Sequence, residues 1–351
     1  MLQYCFCREI YSANFYDSLH SFAKEELNAR RPHPFPRLVP FLRTFSHQIA
    51  QFFDKTKPHM THSSTHQPLI LAAKPVADAI RAHVAERVAK FKTRHNRTPK
   101  LTVVLVGENP ASVVYTNSKG KAAVAAGMDH ETIKFPETAS ELEVYAAIRK
   151  LNEDPTVDGI LIQRPLPKSF KEEEVLYWVA PEKDVDAFHP ENVGKLSLGL
   201  PCFRPCTPSG VMEILKFYKI PLAGQIACVI GRSSIVGKPM ATMLLQENVT
   251  VLQTHSKTPD LRAMCKQADV VVAAIGRGEM IDSSYLKQGA VVIDVGMNRN
   301  AEGKLVGDVD FEEASKVASA ITPVPGGVGP MTITILLQNT VWAAEMRETL
   351  K

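Results

Sequence analysis

The chain has 351 residues, with 45% apolar and 22% charged, an ordinary globular balance. That length suggests about two domains. A net charge of +4 is too small to argue for a nucleic-acid partner, and no block of like charges marks an interaction tail. No apolar run is long enough for a transmembrane helix, so membrane insertion is not expected. The six cysteines are too sparse for a disulfide framework. Cys202 and Cys206 lack a second Cys/His pair at zinc-finger spacing, so reduced thiols and no metal site are expected.

Residues 1–67 differ from the rest. They hold Arg30-Arg31-Pro32-His33-Pro34-Phe35-Pro36, scattered aromatics and no periodicity, and they lack the apolar core of a secretory signal. Arg30, Arg31, Arg37 and Arg43 near apolar residues suit a transit peptide, whereas Glu9, Asp17, Glu25, Glu26 and Asp54 are more acids than such peptides favour. Met60 is a candidate alternative start. The compartment stays open between mitochondrial matrix and cytoplasm.

Regular patterning begins after Gln67. Val76, Ile80, Val84 and Val88 predict a helix over 76–91. A continuous apolar strand follows at 101–106, then a helix over 112–126 stopped by Gly127, another over 142–151, and a buried strand at 159–163. A second series starts near Thr207: a helix at 211–218, a strand at 226–230, a helix at 239–246, and strands at 249–253, 270–274 and 290–295. A last helix is expected over about 332–348 after a glycine-rich loop. Continuous apolar strands alternating with helices predict an α/β protein of two domains with parallel sheets, the C-terminal one Rossmann-like.

The strand at 226–230 runs into Gly231-Arg232-Ser233-Ser234-Ile235-Val236-Gly237-Lys238-Pro239 and then a helix. Such a turn aims backbone N–H groups and a helix start at an anion. The spacing departs from the usual G-x-G-x-x-G, and an ordinary turn with two glycines would be spelled the same way. The next strand ends Gln253-Thr254-His255-Ser256-Lys257-Thr258, without the acid that binds a ribose hydroxyl in NAD sites. Arg232, Ser256 and Lys257 could bind a ribose phosphate instead, which favours NADP; as solvated surface groups they would look alike.

Tyr115 and Lys119 lie one helical turn apart, just after a strand end and the turn Gly107-Glu108-Asn109-Pro110. A lysine placed there could move a proton, or the two could be a surface pair. Gln163, in Gln163-Arg164-Pro165-Leu166-Pro167, could orient Lys119 or a bound ring. Lys183-Asp184-Val185-Asp186 offers a carboxylate to paired N–H donors of a heterocycle, or a turn with solvated acids. Pro325-Gly326-Gly327-Val328-Gly329-Pro330-Met331-Thr332 allows close backbone approach to a ligand or forms a hinge.

Together these stretches, with Pro205-Cys206-Thr207-Pro208-Ser209-Gly210, Asp294-Val295-Gly296-Met297-Asn298, Gly307-Asp308-Val309-Asp310 and 321–332, resemble the methylenetetrahydrofolate dehydrogenase/cyclohydrolase family over about 72–342. The resemblance implies a homodimer with folate in the cleft between two domains. It implies NADP-dependent oxidation of 5,10-methylenetetrahydrofolate and hydrolysis of the methenyl product to 10-formyltetrahydrofolate, with no metal. The alternative is a dehydrogenase-only, NAD-dependent member, against which the retention of Lys119 argues. By resemblance Lys119 is catalytic in hydrolysis, Tyr115 positions folate, Gln163 supports Lys119 and Asp186 grips the pterin. Ile162, Gln163, Arg164 and Pro325, Gly326, Gly327, Val328, Gly329 line the folate side; Gly231, Arg232, Ser233, Ser256 and Met297 line the cofactor side. The implied division is 68–208 with the helix 330–351 as the folate-binding domain and 209–329 as the NADP-binding domain. Two residues depart from the family's usual choice: Arg164, where leucine is common, could lean toward the glutamate tail of folate or point to water, and Ala187, where glycine is common, would oppose a positive φ.

Overall fold

The computed structural model describes residues 67–349; the readings of the N-terminal extension and of Met60 lie outside them. In chain order the elements are β1 Leu69–Ile70, α1 Ala73–His95, β2 Lys100–Val106, α2 Pro110–Ala125, β3 Asp129–Phe135, α3 Glu141–Glu153, β4 Gly159–Ile162, α4 Glu172–Leu176, α5 Pro190–Ser197 and α6 Cys206–Phe217. The series continues with β5 Ile226–Ile230, α7 Gly237–Gln246, β6 Thr250–Thr254, α8 Leu261–Cys265, β7 Val270–Ala273, β8 Val291–Asp294, β9 Asn298–Arg299, β10 Leu305–Val306, α9 Phe311–Ser315, β11 Ala320–Ile321 and α10 Gly329–Thr349.

Two parallel sheets organise these elements. The smaller has the order β3-β2-β4 and the larger β1-β11-β8-β7-β5-β6. Of the strands that read as apolar runs, β2, β5, β7 and β8 are inner ones, and β4, last in the smaller sheet's order, is flanked by the bridge to Asp184; all five are almost wholly buried, because helices cover both faces. Strand β3 escapes that pattern. It is an edge strand whose exposed and half-buried residues alternate, yet all seven pair with β2 in parallel register. No helix among the described residues is long and apolar enough to cross a membrane.

The N-terminal segment behaves differently from the division read in the sequence. Strand β1 pairs with β11 in the larger sheet, and Leu71, Ala73, Val76 and Ala77 join that sheet's core. Helix α10 then ties the cores together, with Met331 in the larger sheet's cluster and Ile335, Leu336, Leu337 and Val341 in the smaller's. Its C-terminal end is anchored by the buried Asp158, which accepts from Arg97 at 2.8 and 2.9 Å and from Arg347 at 3.2 Å. Removing one partner of such a buried ionic group costs about 3–5 kcal/mol.

Candidate active site between the two sheets

Helix α2 starts directly after β2 because Asn109 caps it: its side chain accepts from the N–H groups of Ala111 and Ser112 at 3.0 and 3.2 Å, and Pro110 fills the first turn. The cap brings Tyr115 and Lys119 to the strand ends on one helix face. Lys119 is buried, and its Nζ donates to Gln163 Oε1 at 3.0 Å. Gln163 prolongs β4, its N–H bonded to Val104 O at 2.9 Å. The Gln163 amide is oriented from below, because Nε2 donates to Arg164 O at 2.6 Å. A carbonyl can only accept, so Oε1 must turn to the ammonium. Ser112 Oγ donates to the same carbonyl at 3.3 Å. The Arg164 guanidinium pairs with Glu172, whose other oxygen accepts from Leu166 N at 3.4 Å.

The stretch at 183–186 divides by side-chain direction. Its backbone meets β4 at a single parallel bridge, Ile160 opposite Asp184, and then turns, Ala187 N donating to Asp184 O at 3.0 Å. Lys183 is buried and caps α3, donating to Leu151 O at 2.8 Å and Asp154 O at 2.6 Å; burial pulls its pKa down to about 8. Asp184 is buried too and accepts from His189 N at 2.8 Å and Asn192 Nδ2 at 3.0 Å; burial pushes it up to about 6. The turn of solvated acids is therefore not what forms. Asp186 remains partly accessible. Burial raises its carboxyl above the usual range, opposed by the Lys119 charge, a hydrogen bond from the Cys206 thiol and the Arg164 charge. Burial holds Cys206 well above an ordinary thiol, so it stays a donor. Asn339 fixes the base of this corner, donating to Val185 O at 2.8 Å and Arg204 O at 3.1 Å. Sequence reasoning missed Asn339 and Glu172 and gave no role to Ser112 and Cys206, since each acts through a partner that no local pattern names. Ala187 has φ +63° and is buried, the left-handed backbone that its departure from glycine called into question. Such a conformation costs an alanine about 1 kcal/mol.

The loop between β5 and α7 forms a tight cradle. Gly231 has φ +122° and donates to Thr254 O at 2.9 Å. A Cβ on Gly231 would sit 2.2 Å from Ala274 O, and one on Gly237 would sit 2.3 Å from Gly231 O. Any side chain would thus force the loop open. Ser233 Oγ accepts from the N–H groups of Val236 and Gly237 at 3.2 and 3.3 Å, shaping the start of α7. Arg232, Ser233, Ser256 and Lys257 are exposed around this cradle, and Arg232 has no ion pair among the described residues. The end of β6 carries no carboxylate; Gln253 there reaches Gly231 O at 3.4 Å.

Tyr115 on the smaller sheet's side reaches the loop after β8 of the larger, its Oη donating to Met297 Sδ at 3.1 Å. Burial raises the Tyr115 phenol, keeping it protonated. Beside Met297 runs the loop 325–329, tied to α1 by Ala73 N donating to Gly326 O at 2.9 Å. Val328 points into the larger core, so only its backbone can face a ligand. A separate surface cavity of about 500 Å³ is lined by Glu279, Asp310, Phe311, Glu312, Pro323 and Val324. Its acidic wall would repel phosphate, so it does not compete with the Arg232 cradle.

Comparison with known proteins agrees with this arrangement. Residues 71–186 match the tetrahydrofolate dehydrogenase/cyclohydrolase catalytic domain, and 205–348 match the NAD(P)-binding domain of the same family. The chain belongs to the tetrahydrofolate dehydrogenase/cyclohydrolase family. Among its relatives, the bifunctional protein FolD of Geotalea uraniireducens is 55% identical over 278 residues, covering 79% of this chain and 99% of the relative. That of Ligilactobacillus salivarius is 53% identical over 276 residues, 79% of this chain and 96% of the relative. The solved FolD methylenetetrahydrofolate dehydrogenase/cyclohydrolase of Campylobacter jejuni shares 47% identity at a TM-score of 0.78, over 79% of this chain and 99% of its own. The dehydrogenase-cyclohydrolase of Trypanosoma brucei, solved with NADP cofactor and inhibitor, shares 35% identity at a TM-score of 0.77, over 80% of this chain and 99% of its own. As a family member the chain pairs a catalytic α/β domain with an NAD(P)-binding one, and those are the two sheets seen here.

Proposed function

We propose that this chain is a bifunctional, NADP-dependent methylenetetrahydrofolate dehydrogenase and methenyltetrahydrofolate cyclohydrolase of one-carbon metabolism. The observation that carries the reading is the buried Lys119–Gln163 pair at the strand ends of one sheet and the Gly231–Gly237 cradle at those of the other, with Tyr115 of the first part reaching Met297 of the second. The glycines let the loop close on its own backbone, where a Cβ would strike Ala274 O or Gly231 O, and the tight strand-to-helix turn they allow suits a dinucleotide phosphate.

NADP, when bound, supplies the hydride acceptor for oxidation of the methylene carbon. That carbon lies between two nitrogens whose lone pairs stabilise the cation left behind, so the protein's main task is positioning. Asp186 accepts from the N–H edge of the pterin, Tyr115 holds the folate ring, and loop 325–329 closes the folate side with backbone. Ile162, the last residue of β4, lines the folate side, while Arg164, paired to Glu172, contributes its carbonyl rather than its charge. Arg232 and Ser256 take the ribose phosphate, with Ser233 and Met297 along the cofactor.

In hydrolysis, water adds to the methenyl carbon and gives up a proton. The bond from that carbon to one flanking nitrogen breaks, the nitrogen takes a proton, and the remaining hydroxyl proton leaves, so each turnover releases one proton. Lys119 Nζ is the group placed for this relay, with Gln163 fixing its direction.

The same reading divides the chain into a folate-binding part (68–208 with 330–351) and an NADP-binding part (209–329), β1 being lent to the larger sheet. Family resemblance supports a homodimer, measurable by sedimentation. Bacterial relatives support the cytoplasm over the mitochondrial matrix, a choice tested by imaging the tagged chain in its own cells. Initial rates with methylenetetrahydrofolate and NADP against NAD, with and without the first 59 residues, test the function. The expected result is NADP-dependent oxidation followed by methenyl decay; turnover with NAD alone and no methenyl decay would establish the dehydrogenase-only alternative.

A further inference from the structure

Two buried carboxylates lie at the C-terminal end of the larger sheet, and neither has an ion-pair partner among the described residues. Asp294 accepts from the N–H groups of Gly296, Asp308 and Val309, each at 2.9 Å. Asp308 is fully buried and takes four donors: Ile275 N at 2.6 Å, Gly276 N at 3.0 Å, Arg277 N at 2.8 Å and Asn298 Nδ2 at 2.9 Å. An ionised carboxylate offers about four lone-pair sites, so Asp308 is saturated. Three successive N–H groups around one anion form a nest, helped by Gly276 at φ +67°. Here the nest is filled by the protein's own side chain.

The position of that carboxylate matters more than its chemistry. In an open parallel sheet, a dinucleotide lies across the strand ends at the point where the order reverses. That point is between β5 and β7, since β6 lies on one side of β5 and β7 and β8 lie on the other. The ribose phosphate belongs at Arg232 and Ser256, on the β6 side. The nicotinamide half must then lie over the ends of β7 and β8, where Tyr115 reaches Met297. The loop after β7 is Ile275-Gly276-Arg277, and the loop after β8 carries Gly296, Met297 and Asn298. Asp308 bonds both. The carbonyl of Ala274 also backs directly on Gly231, so a shift of the first loop reaches the phosphate cradle.

We infer that Asp308 is a positioning residue for hydride transfer: one carboxylate locks the two loops between which the nicotinamide ring must sit. The inference rests on the dehydrogenase activity proposed above and assigns no part in the hydrolysis to Asp308. Asp308→Asn keeps the shape but turns an NH2 toward N–H donors, so about two of the four bonds are lost whichever way the amide lies. The full chain is assayed for both reactions, with the cyclohydrolase followed on supplied methenyltetrahydrofolate. Dehydrogenase kcat should fall roughly 10–100-fold, the cost of misplacing reacting atoms by up to about 1 Å. The deuterium isotope effect on hydride transfer should rise, and cyclohydrolase should stay within about 3-fold, its proton relay being elsewhere. An unchanged dehydrogenase, or an equal fall in both activities, would overturn the role. Should Asp308→Asn not fold, Asn298→Ala removes one donor and keeps the carboxylate. It should lower dehydrogenase kcat by roughly 3–10-fold with cyclohydrolase kept, and an equal loss in both again refutes the role. Absence of dehydrogenase turnover in the unaltered chain would instead refute the parent function, and this role with it.

Discussion

Gly307→Ala should be among the most damaging single-methyl additions in this protein. A Cβ at Gly307 would fall 1.7 Å from Asp294 Oδ2 and 2.4 Å from its Cγ. Ordinary contact begins near 3.4 Å, so the backbone or the carboxylate must give way by well over an ångström. The segment after β10 cannot easily move, because Asp308 N and Val309 N next to Gly307 are bonded to the same carboxylate. If Asp294 rotates away instead, those two N–H groups lose a charged acceptor while buried, at about 1–3 kcal/mol each. The expected loss is therefore about 3–5 kcal/mol, a large share of a typical 5–15 kcal/mol total. Gly194→Ala is the matched control: nothing lies within 4 Å of its Cβ position, and it sits inside helix α5. It should stabilise by about 0.5–1 kcal/mol through helix propensity. Urea unfolding by far-UV circular dichroism measures both. A Gly307→Ala variant within about 1 kcal/mol of the parent, with the control behaving as stated, would show that the Asp294 cage is not rigid.

Other outcomes test the site directly. Lys119→Met should cut cyclohydrolase activity by about 10²–10⁴-fold while leaving measurable dehydrogenase, and full cyclohydrolase activity would remove the lysine from the relay. Arg232→Ala should raise KM for NADP by about 10–100-fold, the worth of one charged hydrogen bond, and hardly alter that for NAD; equal losses would argue against a phosphate contact. The pH dependence of stability carries a signature of Asp184, whose pKa rises from an unfolded value of 3.8 to about 6. The folded state then binds more protons, so this stabilisation is complete below pH 3.8 and is lost as pH rises through about 6. Unfolding free energies of the parent relative to Asp184→Asn should accordingly fall by roughly 2 kcal/mol between pH 4 and 7. A difference independent of pH would mean that burial does not shift this carboxyl.

Sequence alone determined the inner strands and long helices, because a strand covered on both faces must be apolar throughout and a packed helix must repeat its apolar face. It also exposed the irregular glycine loop, the missing acid after the next strand and the residue types of the site. Strand β3 stayed hidden, because an edge strand needs no apolar run, and β1 and β11 are only two residues long. Tertiary structure decided what no local pattern encodes. The turn that follows the Ile160–Asp184 bridge separates Asp186 from Asp184, although both belong to one short stretch. The Arg164 carbonyl orients the Gln163 amide, and Glu172 holds the charge that could otherwise have met a substrate. Asp294 and Asp308 were visible only as parts of glycine-containing stretches, since their partners lie up to 33 residues away. Residue type follows from local periodicity and turn chemistry, but the direction of a buried polar group depends on its partners, and only the folded chain brings those together.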